Sequence, residues 1–226
     1  MRQLLPTTVD PVDPMAVYGD LPVARGRPAV RLNMIASVDG STTLAGVSGG
    51  LGGPADHALF AVLRSLADVV LVAAGTVRAE RYGPSSTPVA VVSRSLRLDW
   101  TAPFFTAQLA RPVLVTVAQA PPDRLGRAAE VAEVVVAGDR DVDLAAALAE
   151  LGDRGWRAVL AEGGPTLNGQ LAAAGLLDEL CLTLSPSLAG GDAKRILDGP
   201  GLEGAAGMRL CSLCEQDDFL FLRYRP

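Results

Sequence analysis

Short, almost wholly apolar runs recur along this chain, each closed by glycine, hydroxyl or turn residues, and helical spacing fills many of the gaps between them. Val69-Val-Leu-Val-Ala73 and the Ala-Val-Leu-Ala run ending at Ala161 have the length of strands and no polar alternation. Strands of that kind are buried on both faces, which happens in parallel sheets whose crossovers are helices. Ala29–Ser37, Glu179–Leu184 and the runs at 88–93, 112–117 and 133–137 extend the same series. Between them, Leu59, Val62, Leu63 and Leu66 fall at i, i+3, i+4 and i+7, one stripe of a helix that Pro54 opens. Asp143 caps a second helix whose Leu144, Leu148 and Leu151 share a face, with Gly152 or Gly155 to end it. A third helix follows from about Pro165 to Ala174.

The tail reads differently. Residues 208–214 and 219–224 flank Glu-Gln-Asp-Asp as a β-hairpin. The expected fold class is therefore α/β: a mixed, mostly parallel central sheet with helices on both faces and a C-terminal β-hairpin. Residues 1–27, with Pro6, Pro11, Pro14 and Pro22, are expected to form an irregular N-terminal segment, and 28–226 a single domain.

Composition narrows the function. Hydrophobic residues make up 49% and charged residues 20%, which suits a globular core and not a disordered chain. The net charge is −5 without runs of like charge, so neither a nucleic-acid nor a membrane-surface partner is expected. The first 27 residues lack a signal-peptide pattern, and no apolar run approaches the roughly 18 residues of a membrane span. Three cysteines fit a reducing compartment, and the expectation is cytoplasmic. His57 is the only histidine, which excludes a His/Cys zinc deaminase, and no G-x-S-x-G elbow exists. Cys211-x-x-Cys214 has no companions for a metal, and no metal is expected.

The chemistry concentrates at strand ends. In Leu160-Ala-Glu-Gly-Gly-Pro-Thr-Leu-Asn-Gly-Gln-Leu171 a strand ends at Glu162, two glycines turn the chain and a helix begins. Gly163, Gly164 and the first helical turn then present unpaired N–H groups at the positive end of a helix dipole, a place for a phosphate. The same spacing also serves a strand-to-helix turn that needs glycine for geometry alone. Val72-Ala-Ala-Gly75-Thr76 ends in a hydroxyl, and Ser93-Arg94 closes a third strand with a hydroxyl and a guanidinium. Ligands collect at the carboxyl ends of strands in open α/β sheets, so these tips could surround one dinucleotide. A cation with a hydroxyl suits the 2′-phosphate of NADPH, although Ser-Arg also begins ordinary solvated turns. Asp39 lies just past the first strand, where its carboxylate could orient a substrate ring or assist proton transfer; Asp-Gly is equally a common turn pair. His57, Phe60 and Arg64 share a helix face, from which Arg64 either holds a substrate anion or faces solvent. Gly50-Leu-Gly-Gly-Pro-Ala55 matches a dinucleotide fingerprint formally, but no strand immediately precedes it.

Asn33-Met-Ile-Ala-Ser-Val-Asp-Gly40, Val70–Thr76, Leu160–Leu171 and Ala174-Gly-Leu-Leu-Asp-Glu-Leu180 with Leu182–Gly190 together resemble the reductase domain of riboflavin-biosynthesis deaminase-reductases, from about Val30 to Leu197. That resemblance implies a dihydrofolate-reductase-like sheet, NADPH as hydride donor and a homodimer. It implies reduction of 5-amino-6-(5-phosphoribosylamino)uracil, whose ribosyl group becomes ribityl. The matching cofactor positions are Thr76, Ser93, Gly163, Gly164, Pro165, Thr166 and Leu167, with Glu80 as an acidic match; Gly75 and Arg94 join them as candidates from the strand ends. The matching substrate positions are Ser48, Arg64 and Glu162; Asn33 is a further candidate on the substrate side, and Asp39 and Glu162 are the carboxylates available for catalysis. Where the family often carries a lysine for the substrate phosphate, this chain has Asn33. That difference keeps two other readings open: reduction of a pterin such as dihydrofolate or another heterocycle, and a nucleotide-binding module without catalysis.

Overall fold

The computed structural model describes residues 1–199 and 201–226. Among the described residues ten strands run β1 (Arg2–Leu5), β2 (Ala29–Ser37), β3 (Val69–Ala73), β4 (Val89–Val92), β5 (Val113–Thr116), β6 (Glu133–Val136), β7 (Ala158–Ala161), β8 (Glu179–Ser185), β9 (Arg209–Gln216) and β10 (Phe219–Arg225). Seven helices accompany them among the same residues: α1 (Pro14–Tyr18), α2 (Pro54–Ser65), α3 (Ala74–Ala79), α4 (Pro103–Thr106), α5 (Pro122–Val131), α6 (Leu144–Asp153) and α7 (Pro165–Ala173). All the strands share one sheet in the order β1-β9-β10-β8-β2-β7-β3-β4-β5-β6. From β8 to β6 every pairing is parallel, while β10, β9 and β1 add on antiparallel.

The apolar runs end up where their composition requires. β3 is buried from Val69 to Val72, with alternate residues feeding opposite layers. On one face Val69 and Leu71 pack with Leu148 and Leu151 of α6 and Leu167 and Leu171 of α7. On the other, Val70 and Val72 meet Val77 of α3, Phe104 and Phe105 of α4 and Ala128 of α5. Farther along that second face, Leu59 and Leu63 of α2 and Tyr18 of α1 cover Leu160, Cys181 and Phe221. Asp143 caps α6 through the Ala146 N–H at 3.0 Å, as its position before the leucine stripe requires.

The N-terminal segment is more regular than its prolines imply. β1 pairs antiparallel with β9, and Asp13 caps α1 by accepting from the Met15 N–H. Pro6 lies just beyond the strand, and Pro14 occupies the first helical turn, where a missing N–H costs nothing. No helix among the described residues is long and apolar enough to cross a membrane.

Beside β8 lies a buried ionic knot. Glu179 accepts from Arg223 and Arg225 at 2.7 and 2.8 Å and is paired also with Arg31, and Arg223 reaches Asp20. It ties β2, β8 and β10 to the segment after α1 and lies at the opposite end of the strands from the glycine turns.

Candidate functional site

β7 lies between β2 and β3, so the Gly163–Gly164 turn emerges between the loops that follow those two strands. A cavity of about 880 Å³ opens there. Asn33 and Met34 of β2 form one wall, and Gly163 to Leu167 form another. Gly75, Thr76 and Glu80 border it from α3 and its end, while Asp56, His57, Phe60 and Arg64 reach it from α2.

The corner depends on its glycines. Gly163 sits at φ +95°, a conformation that side chains with a Cβ rarely adopt. A Cβ on Gly164 would lie 3.1 Å from the Thr76 hydroxyl oxygen and 3.3 Å from the Ala73 Cβ, so the backbone here packs closely against those two side chains. The Gly163 carbonyl accepts the Ala73 N–H at 2.9 Å, locking the turn after β7 to the end of β3. Pro165 starts α7, and Pro165, Thr166 and Leu167 of its first turn, where N–H groups have no partner within the helix, line the cavity.

Adjoining the turn at Glu162 stands an ionic triad. Arg64 donates through Nε and Nη2 to both Glu162 oxygens at 2.7 Å each, and the Tyr82 hydroxyl donates to Glu162 Oε2 at 2.6 Å. The Glu162 side chain is 3% exposed and that of Arg64 28%. Burial works against the Arg64 charge, but Glu162 outweighs it and the guanidinium pKa rises. Burial and the adjacent Glu162 carboxylate push the Tyr82 phenol upward, so it stays a donor. Arg64 also lies over the Phe60 ring, 4.4 Å from its centroid.

Twelve of the expected residues line this one cavity: Asn33, Ser48, Arg64, Gly75, Thr76, Glu80, Glu162, Gly163, Gly164, Pro165, Thr166 and Leu167. Glu80 has a structural task there, since its carboxylate accepts the Ser48 N–H at 2.7 Å and pins the glycine-rich loop.

Three expected residues lie elsewhere. Asp39 is exposed and outside the cavity lining; it accepts the Ala189 and Gly190 N–H groups at 3.1 and 2.7 Å and the Ser37 hydroxyl. The Ser37 hydroxyl and those amides hold its carboxyl down at about 2, which suits a turn anchor and not a proton donor. The Asp-Gly pair after the first strand is thus used as a turn. Ser93 is buried, and its Oγ accepts the Leu96 N–H at 3.0 Å. Arg94 extends beyond β4 and pairs with Asp141 at the surface. It borders a second depression at the ends of β4 and β5, with Arg97, Arg124 and Arg140 around it.

Sequence reasoning missed Tyr82, Asp56 and Lys194. Tyr82 and Lys194 come from irregular stretches, where no periodicity aims a side chain. Asp56 did carry a signal, because residues 56, 60 and 64 lie at i, i+4 and i+8 on one helix face.

A family model described as the RibD C-terminal domain matches residues 28–218. A 2,5-diamino-6-ribosylamino-4(3H)-pyrimidinone 5′-phosphate reductase from Methanothermobacter thermautotrophicus is 34% identical over 192 residues, covering 80% of this chain and 88% of that protein. The crystal structure of a pyrimidine reductase-like protein from Corynebacterium diphtheriae superposes with a TM-score of 0.81 at 29% identity, covering 94% of this chain and 97% of that one. Dihydrofolate reductase from Enterococcus faecalis superposes with a TM-score of 0.50 at 12% identity over 87% of this chain and 95% of its own, and the fold is dihydrofolate-reductase-like.

Proposed function

The chain belongs to the RibD C-terminal domain family, and from that premise we propose that it is an NADPH-dependent reductase acting on a 6-(5-phosphoribosylamino)pyrimidine. The carrying observation is the convergence of the Gly163–Gly164 corner, Thr76 and the Arg64–Glu162–Tyr82 triad on one cavity. Two bases fit this description: 5-amino-6-(5-phosphoribosylamino)uracil, and the 2,5-diamino-pyrimidinone for which the Methanothermobacter relative is named.

The corner fits a dinucleotide pyrophosphate. Gly164 lets the turn pack directly beside the Thr76 hydroxyl, and the first turn of α7 offers amide donors with the favourable end of its dipole. Thr76 adds a hydroxyl. The adenosine half would extend toward β4, two inter-strand steps or roughly 10 Å away. There Arg94, Arg97, Arg124 and Arg140 surround a depression in which a 2′-phosphate finds charge-assisted donors, which supports NADPH over NADH.

A nicotinamide, when bound, would supply a hydride to the ribosyl C1′, and a proton from water would go to the ring oxygen as the C1′–O bond breaks, which leaves ribityl. The protein's own part is positioning and charge. Glu162 fixes the Arg64 fork by two hydrogen bonds and leaves its remaining N–H groups for a substrate anion. Tyr82 keeps the third lone-pair site of Glu162 occupied, so that carboxylate cannot swing away. Lys194, on the cavity rim, shares its charge with Asp198. The reading is completed by a cytoplasmic setting, where the soluble substrate and NADPH meet, and by a homodimer as in the resemblance.

The test is NADPH oxidation with each phosphoribosylaminopyrimidine, beside a fluorescence titration with NADPH and NADH. Binding and turnover with NADPH, and weaker binding of NADH, are expected, with dihydrofolate as the control substrate. No binding of either dinucleotide would remove the proposal.

A further inference from the structure

We propose that Lys194 is the cation of the dinucleotide corner: its ammonium rests on Asp198 and passes to the pyrophosphate when a dinucleotide enters. The inference rests on the reductase reading above and deepens it, by naming the charge that the glycine turn lacks.

That corner offers an anion only neutral donors. From Glu162 to Gln170 the turn and the start of α7 contain no Lys or Arg, and Thr76 brings a hydroxyl. A pyrophosphate carries two negative charges, whereas the amides at a helix end compensate about half of one. Among the described residues, Arg64, Arg81 and Lys194 are the Arg and Lys side chains that line the cavity. Arg64 is already held twice by Glu162. Arg81 follows α3, and Lys194 belongs to the segment between β8 and β9.

The segment that carries Lys194 lies against the corner. The Asp198 N–H donates to the Pro165 carbonyl at 2.9 Å, in the first turn of α7, and the Lys194 ammonium sits on the Asp198 carboxylate at 2.5 Å. The charge therefore stands beside the turn proposed for the pyrophosphate. Three ties fix the backbone from which it reaches. Thr42 donates its N–H and its hydroxyl to the Lys194 carbonyl at 3.2 and 2.9 Å. Asn168 of α7 donates to the Ile196 carbonyl at 2.8 Å. Gly169 is the third, because a Cβ there would run into the Asp198 carbonyl oxygen. Glycine weakens a helix interior, so α7 gives up helix stability to let this segment lie directly on it.

The pair with Asp198 is exchangeable. The Lys194 and Asp198 side chains are 60% and 42% exposed, and an ion pair so open to water contributes little. A phosphate oxygen at the helix end offers the same ammonium a charge-assisted hydrogen bond. The charges along the segment point the same way. Asp192, Lys194, Arg195 and Asp198 balance one another, and Asp192 lies on the same cavity lining. Without Lys194 the segment would meet an incoming polyanion with two carboxylates against one guanidinium.

Fluorescence titrations of wild type, Lys194→Met, Lys194→Arg and Asp198→Asn with NADPH and with NADH provide the test. Lys194→Met should weaken binding by about tenfold, the contribution of one charge-assisted contact at a partly exposed site. The factor should be the same for both dinucleotides, because they share the pyrophosphate and differ only in the 2′-phosphate. The deficit should shrink as salt rises from about 0.05 to about 0.5 M, and Lys194→Arg should recover most of it. Asp198→Asn releases the ammonium and should tighten binding by roughly two- to fivefold; a pair that merely propped the segment would give weaker binding from either side. Unchanged affinity in Lys194→Met, a loss confined to NADPH, or an Asp198→Asn protein as weak as Lys194→Met would overturn the inference while leaving the reductase reading intact. A wild type that binds neither dinucleotide would remove both.

Discussion

Replacing Glu162 by Gln separates two roles that the structure superimposes on one carboxylate. In the folded protein this group is nearly inaccessible and takes hydrogen bonds from Arg64, twice, and from Tyr82. Gln is isosteric but supplies a single acceptor oxygen, and its amide N–H groups point at the donors of Arg64 or Tyr82. Breaking a fully buried pair from one side costs about 3–5 kcal/mol. Arg64 keeps more than a quarter of its surface in water, so screening should reduce the loss to roughly 2–3 kcal/mol. For a chain of this size that lowers Tm by roughly 5–10 °C. Urea or thermal unfolding of Glu162→Gln, Arg64→Met and the double variant closes the cycle, and a coupling energy near 2 kcal/mol is expected between contacting charges.

Kinetics on the same variants then decide the role. If Glu162 acts only by aiming Arg64, the two single changes and the double change should reduce kcat/KM by the same factor. If the carboxylate also touches the reacting centre, the double variant should be slower than either single one. A Glu162→Gln protein as stable as wild type, within about 0.5 kcal/mol, and equally active would refute the claim that this pair organises the site.

Two further outcomes follow from the geometry. Gly164→Ala forces a Cβ to 3.1 Å from the Thr76 Oγ1 and 3.3 Å from the Ala73 Cβ; it should destabilise by about 1–3 kcal/mol and weaken NADPH binding at least about tenfold. Unchanged affinity in calorimetry would show that the dinucleotide does not use this corner. Glu179 gives a pH signature: burial disfavours its charge, yet the hydrogen bond from Arg223 and the charges of Arg31 and Arg223 outweigh this and lower its pKa below the usual range. Because the folded value is the lower one, its contribution is fully present above the unfolded value, about 4.3, and fades as pH falls through the folded value. Glu179→Gln should flatten that part of an unfolding-versus-pH curve, and an identical acid limb in both proteins would disprove the assignment.

The sheet was legible because its strands are valine-rich and its glycines sit at the strand ends. β2, β3, β7 and β8 follow from apolar runs of the right length, and α6 from a leucine stripe behind Asp143. Helices α4 and α5 were not, since α4 has a single turn and α5 buries little besides Ala128. The cavity residues on strand tips and on α2 were readable for the same reason: a strand end or a helix period fixes where a side chain points. Asp39 and Ser93 were misread because Ser, Asp and Gly serve turns as readily as ligands. Sequence alone gives no means of telling whether a hydroxyl is already spent on a neighbouring N–H, as that of Ser93 is on Leu96.

That distinction explains why the site is where it is. Arg64 keeps its charge in a half-buried place because Glu162 faces it, and Glu162 faces it because β7 ends one residue earlier. β7 ends there because Gly163, at positive φ, turns the chain to meet Ala73. The valine pattern therefore places the sheet, the sheet places the glycine turn, and the turn places the acid that holds the substrate-facing cation. Each link is local, yet removing the glycine would act on the cation without touching it.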